Sequence, residues 1–172
     1  KLLELGYPAA RTMAELEASD PYIEYRQLGI VDRFGRTAVR TGTSNNPWAG
    51  HETGDGWVVM GNAVVDEGVV SAMANAMREY EADDIETRLM HSISAGTDAG
   101  GQPDGQRAAA VLVHENEGYA IINLRVDDHD EPMKELWRLF DRMRPLVPYY
   151  RQRPDDPTLG RVVDWKKERG IE

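Results

Sequence analysis

The chain has 172 residues, 41% of them hydrophobic and 29% charged, a composition typical of one globular domain with its own core. Its formal net charge of −10 argues against nucleic-acid binding, which needs a basic surface, and no apolar run approaches the roughly 20 residues of a membrane span. Because the chain contains no cysteine, disulfides, thiolate catalysis and cysteine metal sites are excluded within it, and we expect a reducing, cytoplasmic location.

The first residues have the pattern of a helix that is already under way. The chain begins KLLELGY, with apolar side chains in place and no initiator methionine. We therefore expect residues 1–6 to be the remnant of a helix inside a longer gene product. A second helix is predicted over 8–18, because Pro8 suits a first turn and Met13 and Leu16 share one face.

Three strands are predicted next. Loose alternation and β-branched residues favour strands over 24–32 and 36–42, joined as a hairpin by a turn that ends at Gly35. Residues 43–56 are rich in Asn, Gly and Pro, which predicts a loop. The apolar run WVVMGN predicts a further strand over 57–62.

Helices and a second hairpin make up the following part of the chain. Apolar side chains at three- and four-residue spacing predict helices over 66–81 and 83–96, each with an Asp available as its cap. The segments RAAAVLVH (107–114) and YAIINLRV (119–126) predict a hairpin over the ENEG turn. The segment EPMKELWRLFDRM (131–143) predicts an amphipathic helix.

This order of elements predicts an α+β fold with mostly antiparallel strands. The strands WVVM and AAAVLV are apolar on both sides, so we expect a second sheet or a second chain to cover the face that the helices leave open. A layered α/β/β/α sandwich meets this need, and residues 1–143 hold somewhat more than half of one. Residues 144–172 are rich in Pro and Tyr, and we expect an irregular arm that packs on a neighbouring subunit of a homo-oligomer.

Several segments occur together in an order that resembles a known family. They are WAGHETGDGWVVMGN (48–62), AGGQPDGQRAAAVLV (99–113), LRVDDHDEPMKELWRL (124–139) and the opening KLLELGYPAARTMAELEASDP. Together they resemble domain-of-unknown-function family 1028, from residue 1 to about 143. Members of that family adopt an N-terminal-nucleophile (Ntn) hydrolase-like fold. The resemblance thus implies an incomplete Ntn-hydrolase-like sandwich that lacks its first strand pair.

The resemblance also implies an activity, with two departures from the family pattern. In Ntn hydrolases a Ser, Thr or Cys at a free N-terminus is the nucleophile, and its own α-amine acts as the base. Lys1 has no such side chain, so the nucleophile is expected from a segment absent from this chain. Arg107 and Ala108 stand where the family usually has a Gln-Ser pair. The implied reaction is hydrolysis of a small amide or peptide without a cofactor.

The segment around GHETGDG carries the first group of candidate site residues. His51, Thr53 and Asp55 are expected on a loop that lines a pocket, where glycine N–H groups approach a ligand oxyanion. His51 is a candidate catalytic residue, and Thr53 and Asp55 are candidate substrate-binding residues. Trp48 either contacts the substrate or anchors this loop on the core. Asn62 is a candidate donor to the oxyanion of a tetrahedral intermediate. The alternative is that His51 and Asp55 bond local backbone in a tight loop and that Asn62 is a turn residue.

The segment LRVDDHDEP carries the second group, with four carboxylates in nine residues. Asp127 and His129 are candidates for proton transfer, with Arg125 as a substrate-binding residue. A second possibility is a divalent metal held by Asp127, Asp128 and His129. A third is a charge network at the start of a helix, with Asp130 as the cap and Arg125 paired with a carboxylate.

These candidates support three functional hypotheses. The first is an amidohydrolase of the Ntn type that acts on a small amide or peptide substrate. The second is a non-catalytic binding or oligomeric assembly module built on the same fold. The third is a metal-dependent hydrolase that uses the Asp127-Asp128-His129 cluster, and it is the weakest because no second set of ligands has metal spacing.

Overall fold

The computed structural model describes residues 1–171, and it confirms the α+β class. The strands over this range form three antiparallel hairpins. The chain divides into two units, of which the first holds residues 1–83 and 91–105 and the second holds 84–90 and the residues from 106 onwards. No helix within residues 1–171 is long and apolar enough to cross a membrane.

The first unit is built from two hairpins and the helices that pack on them. Its elements are α1 (Ala9–Ser19), a 3-10 turn (Ile23–Tyr25), β1 (Gln27–Val31), β2 (Thr37–Thr41), β3 (Gly50–Gly54), β4 (Trp57–Gly61), α2 (Glu67–Glu79) and the larger part of α3 (Ile85–Asp98). Strand β1 pairs with β2, and β3 pairs with β4. The Asp cap predicted for α2 is confirmed, because the Asp66 carboxylate accepts from the N–H of Gly68.

Two sequence predictions for this unit are wrong. The predicted loop over 43–56 contains strand β3, in which His51 and Thr53 are exposed and the other three residues are half-buried. Its glycine and polar content concealed a strand because the ladder hydrogen bonds come from the partner β4. The predicted helical remnant over 1–6 is a set of turns, since the N–H of Leu5 reaches the carbonyls of both Lys1 and Leu2.

The core of the first unit joins β4 to α2. It comprises the buried side chains of Trp57, Val59, Val70, Ala74 and Met77, against which the half-buried Trp48 and Met73 pack. The Trp48 ring lies directly over Gly50, where an added Cβ would be 2.1 Å from Cη2 of the ring. Glycine at this position therefore lets the tryptophan reach the core.

The turn between β1 and β2 holds the start of α1. Pro8, the N-cap residue, has no side chain able to cap the helix. Instead the buried carboxylate of Asp32 accepts from the N–H of Ala9 at 3.1 Å, and also from the N–H groups of Phe34 and Arg36 and from the Arg36 guanidinium. Burial acts to raise the pKa of Asp32, but these hydrogen bonds outweigh it and lower the pKa from 3.8 to about 2.

The second unit combines the third hairpin with the C-terminal helices. Its elements are the first residues of α3, β5 (Ala109–His114), β6 (Ala120–Val126), α4 (Pro132–Met143), a 3-10 turn (Arg144–Leu146), α5 (Val147–Gln152) and α6 (Val162–Glu168). Short helices form after residue 143 and bury Tyr149 and Trp165, and the packing of this segment on a neighbouring subunit stays a prediction. Arg151 of α5 pairs with the buried Glu86 and with Glu115.

Strands β4 and β5 each present one buried face. In β5 the side chains of Val111 and Val113 are buried, whereas Leu112 between them is 56% exposed. In β4 Val59 is buried and Met60 is 39% exposed. The expectation that a second sheet or a second chain covers the open faces stays a prediction, as does the sandwich layering of the sheets.

The Asp32 network predicts a specific acid sensitivity. A carboxylate whose pKa is depressed on folding stabilises the protein fully above its unfolded pKa, and that stabilisation is lost as pH falls from 3.8 towards 2. We expect Asp32→Asn to lower the urea midpoint at neutral pH and to flatten the decline of stability in this acid range. Urea unfolding at a series of pH values measures both effects. The exposed Asp104→Asn is the matched control, and parallel acid profiles for wild type and Asp32→Asn would contradict the prediction.

The contact of Gly50 with Trp48 predicts a steric penalty. We expect Gly50→Ala to reduce the free energy of unfolding by about 1–3 kcal/mol, because the new methyl group collides with a ring that is packed on the core. Urea denaturation measures the loss. Gly118→Ala is the matched control, since a Cβ at that position meets nothing within 4 Å. Equal stability of the two variants would show that the ring moves without cost.

Candidate functional site

An open pocket of about 560 Å³ lies in the first unit. This volume is within the range of about 300–1,000 Å³ that is typical of small-molecule sites. The end of β2, the loop that follows and the start of β3 supply its walls. The side chains that line it include those of Thr41, Thr43, Asn45, Trp48 and His51.

The side-chain amide of Gln27 organises the hydrogen bonds behind this pocket. Its Nε2 donates to the carbonyl oxygens of Gly50 at 3.1 Å and Gly61 at 2.9 Å, and it lies 3.1 Å from Oγ1 of Thr41. Because a carbonyl oxygen can only accept, the amide must turn its NH₂ group to this side. Gln27 thereby links β1 to both β3 and β4.

The fixed direction of the Gln27 amide determines how the side chains on either side of it form hydrogen bonds. Its Oε1 accepts from Nδ2 of Asn62 at 3.0 Å, so the NH₂ group of Asn62 faces Gln27 and keeps one hydrogen for another acceptor. On the other side, Oγ1 of Thr41 lies 2.8 Å from Nδ1 of His51. A continuous chain of hydrogen bonds therefore runs from Asn62 through Gln27 and Thr41 to His51.

The carboxylate of Glu24, which lies behind the pocket, is bound by other side chains of this unit. The Glu24 carboxylate accepts from the backbone N–H of Thr43 at 3.0 Å and from its hydroxyl at 2.8 Å, and it pairs with Arg40. The two hydrogen bonds from Thr43 are the main cause of the lowered pKa of Glu24, and the charge of Arg40 adds to them. Glu24 is therefore ionised at neutral pH, and the Thr43 hydroxyl must act as a donor to it.

The first group of predicted residues is only partly gathered at the pocket. His51 and Trp48 line it, and Asn62 is connected to it through Gln27. Thr53 lies two residues beyond His51 on the same exposed face of β3, but it is not among the lining residues. Asp55 occupies the β3–β4 turn, where its carboxylate lies near Gly35.

Most residues of the second predicted group form ion pairs. Arg125 pairs with Asp127 at 2.6 Å, which confirms the predicted arginine–carboxylate pair. Arg107 pairs with Asp128 at 2.6 Å and with Asp130 at 2.5 Å. All five side chains are more than half exposed. The role of Asp127 and His129 in proton transfer stays a prediction.

Two further predictions for this segment, the Asp130 cap and the metal site, are wrong. Asp130 does not cap α4, because Glu131 is the N-cap residue and its N–H donates to Nδ1 of His129 at 2.9 Å. A metal site at Asp127, Asp128 and His129 is not supported, since no group of three metal-binding side chains is found within residues 1–171. The segment is thus a charge network and a helix start.

Sequence reasoning missed the residues that hold the pocket together. Gln27, Thr41, Thr43 and Asn45 bond to partners 10 to 35 positions away or to nearby backbone carbonyls. Gln27 stands at the first position of a strand, which carries no signal of its role. The dipeptide Asn45-Asn46 before Pro47 indicates a turn and nothing more.

Comparison with known proteins identifies the family. The model of the family of unknown function DUF1028 matches residues 1–136. A crystal structure of a DUF1028 protein from Silicibacter pomeroyi is similar, with 28% sequence identity and a TM-score of 0.68 over 93% of this chain. The chain spans 64% of the length of that protein. No curated protein matches the sequence. Since the family model covers most of its length, the chain belongs to the DUF1028 family.

Proposed function

We propose that the protein is an amidohydrolase of the Ntn type that acts on a small amide or peptide. The nucleophile comes from a segment outside this chain, and this chain supplies the substrate pocket and an oxyanion donor. The observation that carries the proposal is the amide of Asn62, which Gln27 orients so that one N–H stays available. A pre-oriented neutral donor of this kind is what amide hydrolysis requires.

The reaction assigns each group a definite task. The nucleophilic hydroxyl or thiol attacks the amide carbonyl, and its proton passes to the α-amine of the same residue. The Asn62 N–H donates to the oxyanion of the tetrahedral intermediate. Collapse of the intermediate breaks the C–N bond, and the leaving amine takes the proton. Water then hydrolyses the acyl-enzyme and regenerates the nucleophile.

Gln27 is the positioning residue in this scheme. An exposed asparagine side chain rotates freely and loses entropy when it is ordered by the transition state. The hydrogen bond from Asn62 to Gln27, whose own amide is held by two backbone carbonyls, removes that freedom in advance. The donor is therefore preorganised before the substrate arrives.

The proposal also includes four features that the sequence predicts. They are the α/β/β/α layering, the domain boundary near residue 143, a homo-oligomer and a cytoplasmic location. The alternative of a non-catalytic binding module uses the same pocket without a nucleophile.

The oxyanion role of Asn62 predicts a loss of turnover. The experiment uses the protein made from its own gene, with its N-terminal residue identified by intact mass, and a panel of anilide and peptide amide substrates. We expect Asn62→Ala to lower kcat by about 10²–10³, the usual effect of removing one oxyanion donor, with a much smaller change in KM.

The matched control is Asn123→Ala, which removes an exposed asparagine from β6. Its kcat is expected to equal that of the wild type. Absence of amide turnover by the wild-type protein, or equal kcat values for Asn62→Ala and Asn123→Ala, would overturn the proposal. Binding of these amides without turnover would favour the binding module.

A further inference from the structure

We infer that the pocket binds an uncharged carboxamide, whose carbonyl accepts from Nε2–H of His51 and whose N–H donates to Oδ1 of Asn45. This inference names the ligand class for the pocket of the proposed function, and it rests on the proposal only for the reaction that follows binding. Its evidence is the set of donors and acceptors that the pocket leaves open.

The walls of the pocket provide no charge to pair with an ionic ligand. Within the described part of the chain, none of its lining residues is Asp, Glu, Lys or Arg. The carboxylate behind it, Glu24, is already bound by Thr43 and Arg40. A ligand that carries a charge would leave water without gaining a counter-ion, which is unfavourable.

His51 offers a donor. Nε2 of Gln27 has two hydrogens, which the carbonyls of Gly50 and Gly61 accept, and Oγ1 of Thr41 lies 3.1 Å from this nitrogen and 2.8 Å from Nδ1 of His51. In the proposed complex the Thr41 hydroxyl donates to Nδ1 of His51, and the ring proton is on Nε2. Since Nδ1 is occupied, Nε2–H is the ring group available to a ligand. His51 is thus a recognition donor and not the general base.

Asn45 and Thr43 offer acceptors. Nδ2 of Asn45 donates both of its hydrogens, to the carbonyl of Arg26 at 3.0 Å and to that of Gly42 at 2.9 Å. Its Oδ1 is consequently the open end of the side chain. The Thr43 hydroxyl donates its hydrogen to Glu24, so its oxygen can only accept from a ligand.

A carboxamide complements these open donors and acceptors. It carries one acceptor and at least one donor in a planar group without net charge. A carboxylate presents acceptors alone and would face the oxygens of Asn45 and Thr43. An ammonium group presents donors alone and would face the N–H of His51. A polar group of the pocket that meets a ligand group of its own hydrogen-bonding type loses a water partner without gaining another, so the pocket discriminates against both ions.

The test compares four probes by protein-observed NMR titration of the full chain. They are N-acetyl-L-alaninamide, which is neutral, N-acetyl-L-alanine, an anion at neutral pH, L-alaninamide, a cation, and glycerol, which offers neutral hydroxyls. We expect the neutral amide to bind at least about tenfold more tightly than the other three, with shifts at His51 and Asn45. Equal or tighter binding of either ion or of glycerol would overturn the inference.

Variants of His51 test the donor directly. We expect His51→Phe, which keeps a ring but removes the N–H, to weaken binding of N-acetyl-L-alaninamide about tenfold, and His51→Gln to restore part of it. His114→Phe alters another exposed histidine and is the matched control. Ring ¹⁵N shifts of His51 in the wild type should show the Nε2–H tautomer. An Nδ1–H tautomer, or unchanged binding by His51→Phe, would contradict the assignment.

The two proposals fail in different ways. Selective binding of the neutral amide without hydrolysis would sustain the ligand class and overturn the amidohydrolase. If the protein hydrolyses amides but binds neutral and charged ligands equally well, the amidohydrolase proposal would be supported and the ligand class overturned. Circular dichroism of each variant confirms folding, and the exposure of His51 makes its replacement tolerable to the fold.

Discussion

The hydrogen bonds of the Gln27 amide are the constraint on which the first unit depends. Gly50 and Gly61 face each other across the β3–β4 hairpin, and their carbonyls both accept from this one side chain of β1. A partly buried carbonyl without a partner costs about 1–3 kcal/mol, so the amide cannot turn round. Its fixed direction determines which atom Asn62 presents and how Thr41 contacts His51. The hydrogen-bond donors and acceptors of the candidate site therefore depend on the orientation of this amide.

The neutrality of the pocket contrasts with the acidity of the whole chain. Charges close to it are used within the unit: Arg40 pairs with Glu17 and Glu24, and Arg26 pairs with Asp20. Such exposed or half-exposed pairs add little stability by themselves. Their effect here is to occupy the hydrogen-bonding groups of Glu24 and Thr43, so that hydroxyl and amide groups remain for a ligand. A net charge of −10 therefore does not predict the charge of the ligand.

The charged segment after β6 shows which features a local sequence pattern predicts and which it does not. A Pro after several acidic residues correctly predicts a helix start, because Pro suits the first turn and acidic side chains favour it. The pattern does not reveal that Arg107, 21 residues earlier than Asp128, binds that carboxylate. Nor does it reveal that His129 meets the backbone of Glu131. Of the residues that suggested a metal or proton-transfer site, Asp127 and Asp128 are held in ion pairs.

Local periodicity by itself determined the helices α1 to α4 and the hairpins β1–β2 and β5–β6, because hydrogen bonds and side-chain contacts within them are short in sequence. The same holds for the Asp66 cap and for the family, whose motifs are continuous segments. Tertiary structure decided the rest. Strand β3 exists because β4 pairs with it, Asp32 caps a helix 23 residues before it, and Gln27 acts across 35 positions on Asn62. These contacts join residues that are distant in sequence and meet only in the folded chain. The spacing of residues within a short segment therefore cannot predict them.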